Sequence, residues 1–501
     1  MVWAFLLSLA FYPGIFGFLA WLSLIRPIII ISKLKGRTAF NAAYFFSFFF
    51  NLFTIYWVGL VTPPGMVAAV VIVSFYYTAI LMLFNKLHSI KPILGYIALP
   101  FLWTGLEYFR TLSEFAFPWS DLGYTQTSLL YILQIVSVIS VHGLTFLIVT
   151  VNVLLLQVLR KTPSPERKLN SIFVSLAIIA GLTAYGWVVT PRFPIDGDVE
   201  VALLQGSVPI DVKWAQNNQD YSYNLYDSLT QAVADSSIKL FVWPETSAPS
   251  YLSHDFKGSK RVGKIAEKSH TPHLVGALAA SFQKGKQRYH NACYQFDATG
   301  NMEQEYHKAK LVPFSEHVPY QDYLPFLEKS FLQKYLSFID NYGVQWWSDF
   351  YPGDSPELFK LNDYRYGVLI CFDCTFPEFV RDRILDGASF MVGITNDTWF
   401  GRSVGIDMHS AIFITRAVEN RCWMARTANS GLTYIVDDYG RIRDKLGLYD
   451  VAVLKGKVGI LESYSIFTRI GDIFGLYSFL ITLGLWCILI ILWLKRKLVR
   501  Q

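Results

Sequence analysis

The fold class predicted for this chain is a polytopic α-helical membrane part joined to an α/β domain outside the membrane, and three observations predict it. Apolar runs of roughly 17–25 residues, long enough to span a bilayer as helices, recur up to about Val189 and once more near the C-terminus. Only 16% of the residues are charged and 53% are hydrophobic, whereas soluble domains carry roughly 25% charge. The stretch Thr190–Arg469 then changes character, alternating short β-branched runs with helix-like segments, the pattern of an α/β domain.

The membrane runs are Ile15–Ile31, Thr38–Leu60, Met66–Phe84, Ile93–Tyr108, Leu129–Leu159, Ser171–Val189 and Ile473–Leu494. Val2–Phe11 is too short to span unaided, so the count is seven or eight, with six or seven in the N-terminal part. Loop cations set the orientation. Lys33, Lys35 and Arg37, then Lys86 and Lys91, then Arg160, Lys161, Arg167 and Lys168, and finally Lys495, Arg496, Lys497 and Arg500 share one side if each run spans once. That side is the cytoplasm, and Thr190–Arg469 faces outward. The expected division is a membrane domain over 1–192, an extracytoplasmic domain over 193–469, and a final span with a basic tail over 470–501. "MVWAFLLSLAFYPG" lacks a basic n-region and a small-residue cleavage site, so it does not read as a removed signal peptide.

The formal net charge of +6 is spread through short loops rather than gathered on a soluble face, so no nucleic-acid partner is expected. Five cysteines without regular spacing imply no disulfide framework. In the α/β stretch the strand candidates are "VEVALLQGSV", "IKLFVWPE", "HLVGALAAS", "YGVLICFD", "FMVGITND" and "LTYIVDDYG", with helices expected near Asn217–Ala234 and Asp407–Asn420.

Three short stretches carry groups capable of acid–base or nucleophilic work, each at the end of a predicted strand. They are "LFVWPETSAP" with Glu245, "YHKAKLVPFSEHVP" with Lys308, Lys310 and Glu316, and "YGVLICFDCTFPE" with Cys371. A cysteine nucleophile needs a base for its proton and a cation or N–H groups for the oxyanion, and Glu, Lys and Cys supply both without a histidine. Taken singly, each has a plainer reading: a core cysteine or a C-x-x-C pair with Cys374, a surface-turn glutamate, a solvated lysine. His307, His317 and His409 show no metal-ligand spacing, so no metal or other cofactor is expected.

Together, "WPE", Y-x-K-x-x-L-V-P-F-x-E, C-x-[E/D] and "ITNDTWFG", in this order, resemble the nitrilase superfamily. With the membrane runs, and with "LAFYPGIFGFLAWLSL", "WTGLEYFR" and "FPWSDLGYTQ", the chain resembles the apolipoprotein N-acyltransferase family over nearly its whole length. The resemblance implies a nitrilase-like αββα sandwich outside the bacterial inner membrane, facing the periplasm. It further implies Glu245 as general base, Lys308 as oxyanion stabiliser and Cys371 as nucleophile. Lys308 is preferred over Lys310 because it matches the family motif; spacing alone does not choose.

Glu316 and Trp214 match further site positions, and Phe372, Asp373, Asn396 and Trp399 are expected as substrate-side or supporting residues. The family commonly has C-Y-E where this chain has Cys371-Phe372-Asp373, which loses a tyrosine hydroxyl and shortens the acid by one methylene. Ser315 stands where family members often have glycine.

The activity implied is ping-pong transfer of an acyl chain from a membrane phospholipid, through a cysteine thioester, to the α-amino group of the N-terminal diacylglyceryl-cysteine of a lipoprotein, by a monomer. The rival readings are a membrane-tethered nitrilase-like amidase or hydrolase and a transporter with an outer sensor domain. Against the transporter, few ionisable residues lie within the runs. The aromatic segment Tyr335–Gly353, with Trp346, Trp347, Phe338, Tyr342, Phe350 and Tyr351, reads either as a loop folded on the sheet core or as a flap dipping into the membrane interface, where Trp and Tyr are favoured.

Overall fold

The structure is a computed structural model that describes every residue except 161–162, 194, 215–217, 284–285, 322, 325–348, 355–357 and 499–501. Trp346, Trp347, Phe338 and Tyr342 of the aromatic segment therefore lie outside the described residues.

Among the described residues six helices are long and apolar enough to cross a membrane: Ile15–Lys33, Gly36–Ile55, Pro63–Ile90, Val136–Leu159, Pro165–Val189 and Ile473–Lys495. The remaining predicted run forms the helix Pro92–Phe109, 18 residues long, with Pro100 and Glu107 diluting its apolar character. It packs between the Pro63–Ile90, Val136–Leu159 and C-terminal helices. Val2–Phe11 yields only an eight-residue helix, Val2–Leu9, lying against Gly36–Ile55.

Two runs that look continuous in sequence are broken in space. Ile15–Ile31 opens as a 3₁₀ helix over Ile15–Trp21 and resumes as an α-helix over Ile25–Lys33. The cause is Gln126, whose Nε2 donates to the Gly17 carbonyl at 2.9 Å and whose Oε1 accepts from Trp21 Nε1 at 2.8 Å. The two segments touch so closely that a Cβ on Gly17 would lie 2.2 Å from the Thr125 carbonyl oxygen. Leu129–Leu159 divides into Leu130–Leu133 and Val136–Leu159, the latter interrupted at Ser140 with φ 65°. Ser140 Oγ donates to Asp472 Oδ1 at 2.6 Å, which ties this kink to the start of the last helix.

Outside the bundle stand two six-stranded sheets. The strands are β1 Val199–Gln205, β2 Leu240–Val242, β3 His273–Gln283, β4 Lys286–Phe296, β5 Met302–His307 and β6 Phe359–Leu361. They continue with β7 Tyr364–Ile370, β8 Phe390–Thr395, β9 Met424–Ala428, β10 Tyr434–Val436, β11 Ile442–Lys445 and β12 Ala452–Val458. One sheet runs β12-β1-β2-β3-β4-β5 and the other β11-β10-β9-β8-β7-β6. The centres β1-β2-β3 and β7-β8-β9 are parallel and the outer pairs antiparallel.

Central parallel strands are covered on both faces, so they read as near-continuous apolar runs. In β7, Tyr366, Val368 and Ile370 point into the core between the sheets, and Leu369 points to the other side. Each such fully buried aliphatic side chain is worth about 1.5–3 kcal/mol.

The first sheet is backed by the helices Gln219–Val233 and Phe256–Ser269, with Tyr226 stacked on Trp243 at 4.6 Å. The second is backed by Pro377–Leu385 and Val404–Asn420. Together these layers make the expected αββα sandwich. The apolar cluster on this second side continues without a break into the membrane bundle, with Trp119 against Phe372 and Phe400 and Trp57 against Phe400. The Val404–Asn420 helix is buried almost along its whole length, as a helix packed on all sides must be. Its Glu419 accepts from the Val141 N–H at 2.7 Å and pairs with Arg416 at 2.9 Å.

Candidate active site

Glu245, Lys308 and Cys371 each lie just past the C-terminal end of a strand, and Glu316 lies in the loop after β5. Three residues past β2, Glu245 is held by a close crossing of chains: a Cβ on Gly276 in β3 would lie 2.3 Å from the Pro244 carbonyl oxygen and 2.7 Å from Glu245 Cα. Only glycine fits there, and Ser247 Oγ and the Ala248 N–H anchor the turn on the Gly276 carbonyl at 3.1 and 3.0 Å. Lys308 follows β5 directly, its N–H donating to the Asn291 carbonyl of β4 at 2.8 Å. Cys371 ends β7 with φ 50° and opens a 3₁₀ turn over Cys371–Thr375. That left-handed kink turns the thiol out of the strand line, a conformation rare for a residue with a Cβ and kept where the surroundings over-determine it.

The structure brings Glu245, Lys308, Cys371 and Glu316 into one cluster, with Glu245 and Lys308 buried and Cys371 and Glu316 half-buried. Lys308, 1% exposed, places Nζ 2.9 and 2.8 Å from the two Glu316 oxygens and 3.8 Å from Glu245 Oε1. Burial of the ammonium opposes its charge, but Glu316, Cys371 and Glu245 overcome that and hold the Lys308 pKa above its ordinary value. Glu245 is shifted upward: burial dominates, and Glu316 adds to it against the opposing pull of Lys308. The Cys371 thiol is pushed well up, by burial first and by Glu245 next, with Lys308 pulling the other way. At rest the cysteine is a protonated thiol, so attack needs a base at the moment of reaction.

Asn291, which the sequence did not single out, ties the carboxylates together. Its Nδ2 donates to Glu245 Oε1 at 2.6 Å and to Glu316 Oε1 at 3.2 Å. It lies within the polar part of β4, and no motif marks it. Lys310 is elsewhere: its ammonium sits 5.1 Å over the Phe376 ring and 5.6 Å over Phe379.

Asp373 and Phe372 have structural partners of their own. Asp373 Oδ2 accepts from Tyr306 Oη at 2.7 Å and from the Ile370 N–H at 2.9 Å, while Oδ1 accepts from the Lys310 N–H at 2.9 Å. It thus binds the end of β7 to the lysine loop. Phe372 is buried and stacks on Trp119 of the membrane half at 6.3 Å. Beneath the cysteine loop, Cys374 Sγ lies 3.3 Å from His409 Nε2, whose ring is also paired with Asp397 at 3.0 Å.

A cavity of about 1160 Å³ opens onto this cluster. Glu245, Lys308, Glu316, Cys371, Phe372, Asn396, Trp399 and the half-exposed Trp214 line it together with Trp57, Gly65, Ala69, Ile72 and Tyr76 of the membrane half. Gly65, Ala68, Ala69, Ile72, Val73 and Tyr76 follow the three-to-four spacing of one helix face, so a single side of the Pro63–Ile90 helix forms that wall.

Comparison with known proteins agrees with this architecture. The family model described as apolipoprotein N-acyltransferase N-terminal domain matches residues 3–154, and that described as carbon-nitrogen hydrolase matches residues 200–454. The apolipoprotein N-acyltransferase of Geobacter metallireducens is 32% identical over 94% of this chain and 90% of its own length. That of Chlorobaculum tepidum is 30% identical over 91% and 88%. Among solved structures, a nitrilase-superfamily amidase from Nesterenkonia AN1 is 18% identical at a TM-score of 0.40, covering 56% of this chain and 96% of that one. The chain, a multi-pass inner-membrane acyltransferase, belongs to the apolipoprotein N-acyltransferase family.

Proposed function

We propose that the enzyme takes its acyl chain from a membrane phospholipid, carries it as a thioester on Cys371, and delivers it to the α-amino group of the diacylglyceryl-cysteine at a lipoprotein N-terminus. Residues 193–469 form the catalytic domain on the periplasmic face, with 1–192 and 470–501 holding it to the membrane. The observation that supports this reading best is a cavity lined both by a membrane helix and by Cys371. A lipid tail can reach the thiol there without crossing water, whereas a hydrolase acting on soluble amides has no use for such a wall.

The chemistry follows from the geometry. Glu245 takes the thiol proton as Cys371 Sγ attacks the ester carbonyl. Lys308 and the backbone N–H of Phe372 face the developing oxyanion. Collapse of the tetrahedral intermediate expels the lysophospholipid oxygen, which Glu245 reprotonates, and the acyl chain remains on sulfur. The acceptor amine then attacks the thioester, and the thiolate leaves.

The test is to incubate the purified enzyme with phospholipid carrying a labelled acyl chain, digest it and map the adduct by mass spectrometry. Label on the Cys371 peptide that an amine acceptor then removes is the expected result. Label on another residue, or transfer without any adduct, rejects the thioester.

The membrane wall makes a further prediction. Ala69→Phe enlarges a side chain on the membrane-helix wall of the cavity, outside the reacting cluster. It is expected to slow acylation by phospholipid by about tenfold, the equivalent of ~1.4 kcal/mol of lost binding, while a short water-soluble ester acylates Cys371 as before. Equal slowing with both donors would remove the lipid path from the proposal.

A further inference from the structure

Proton bookkeeping across the two half-reactions points to a group that the mechanism above leaves idle. In the first half-reaction the thiol and the phospholipid ester give a thioester and an alcohol, with no net proton. In the second, the acceptor arrives mostly as an ammonium at neutral pH, because α-amino groups titrate near 8. An ammonium and a thioester give an amide, a free thiol and one proton left over. The nitrogen sheds two protons in all. One returns to the thiolate through Glu245, and the other needs a second acceptor.

Lys213 is placed for it. It closes the short helix Ile210–Lys213, immediately before Trp214 at the cavity rim, and it is fully buried. Among the described residues its ammonium makes one hydrogen bond, 3.2 Å to Thr246 Oγ1. A buried ammonium has three donors to satisfy, so this one is poorly supported in its charged form. Thr246 adjoins Glu245, lines the cavity and is held at φ 50°. Its hydroxyl both donates and accepts, which lets it pass a proton from the cavity to the nitrogen behind it.

Resting on the thioester reading, we infer that Lys213, acting through the Thr246 hydroxyl, accepts the proton that the acceptor amine releases in the second half-reaction. Proton transfer runs from the substrate nitrogen to Thr246 Oγ1 while the Thr246 hydroxyl proton moves to Lys213 Nζ, and no other bond changes. The surrounding charges favour this choice. Burial lowers the Lys213 pKa to about 8, with Glu245 only partly opposing it, so a minor neutral fraction, able to take a proton, is present at neutral pH and grows as pH rises. Lys308 is held charged by Glu316, Cys371 and Glu245 and cannot take up a proton. Glu316 is occupied by Lys308 and the Val312 N–H, and Asp211 stands exposed at the cavity edge.

The two half-reactions are read separately on the full-length enzyme in detergent micelles. Thioester formation is followed with labelled phospholipid, and the loaded enzyme is then chased with a diacylglyceryl-cysteinyl peptide from about pH 6 to pH 9, across the amine's own titration. Lys213→Met and Thr246→Val are expected to slow the chase at neutral pH by about tenfold or more, the scale of a lost proton-transfer partner, and far more than they slow loading. The chase should recover as rising pH deprotonates the amine beforehand. Thr246→Ser should restore it and Lys213→Arg, which stays charged, should not. Equal slowing of both halves, a loss that pH does not relieve, or a fully active Lys213→Arg would overturn the relay. Absence of any thioester in the unmutated enzyme would instead overturn the reading on which it rests, and the relay with it.

Discussion

Cys371→Ala is expected to abolish acyl-enzyme formation, and Cys374→Ala to leave it largely intact. Cys371 lies on the cavity within the field of Glu245 and Lys308. Cys374 is buried against His409, away from the cavity wall. Removing a covalent nucleophile costs on the order of 10⁴-fold or more in rate, because no neighbouring group can take its place in the geometry. Intact-mass measurement after incubation with phospholipid reads the result directly, and a thioester mapped to Cys374 would reverse the assignment.

The second large effect is expected at the two groups that serve the thiol. Glu245→Gln keeps the shape and removes the base, so loading should fall by about 10²–10⁴-fold. In the proposed mechanism Glu245 acts as its carboxylate, and burial raises its pKa. Loading should therefore be full above that raised pKa and fall as pH drops through it, an acid limb that the Gln variant lacks.

Lys308→Met removes the proposed oxyanion contact, worth about 2.7–4 kcal/mol. It also leaves Glu316 and Glu245 as buried carboxylates without their cation, a loss of about 3–5 kcal/mol in stability. The variant should therefore unfold at a lower temperature as well as react slowly. Lys310→Met should change loading little, because its ammonium rests on Phe376 and Phe379. Loading and melting curves measured side by side check all three substitutions, and a Lys310 variant that fails while Lys308→Met loads normally would invert the lysine roles.

What the sequence reveals depends on how locally each feature is encoded. The β7 run and the cysteine after it are legible because a central strand buried on both faces is apolar throughout. The strand β4, "KQRYHNACYQF", is not, because its polar residues are satisfied at a distance: Asn291 by Glu245 and Glu316, Gln295 by Tyr366. Such a segment reads as mixed, yet it is buried from His290 onward.

The 3₁₀ opening at Ile15–Trp21 and the kink at Ser140 escape for the same reason. Each is imposed by a partner over a hundred residues away in sequence, Gln126 in one case and Asp472 in the other. The motifs mark Glu245, Lys308, Glu316 and Cys371, whereas Asn291, Thr246 and Lys213 carry no mark of their own, although Thr246 lies inside one of the motifs. Their significance lies in which neighbour they reach, and hydrophobic periodicity carries no record of that.

The Val404–Asn420 helix, shared between the second sheet and the membrane bundle, has a consequence for biogenesis. By the time the ribosome reaches it, the five upstream membrane-length helices have all been made. The outer layer of the second sheet can then close on an apolar platform already present in the bilayer. A fragment spanning 193–469 made alone would lack that platform and turn Phe372 and Phe400, which pack on Trp119 and Trp57, toward water. Such a patch promotes aggregation, so residues 193–469 should be recovered only when they are made together with the membrane helices.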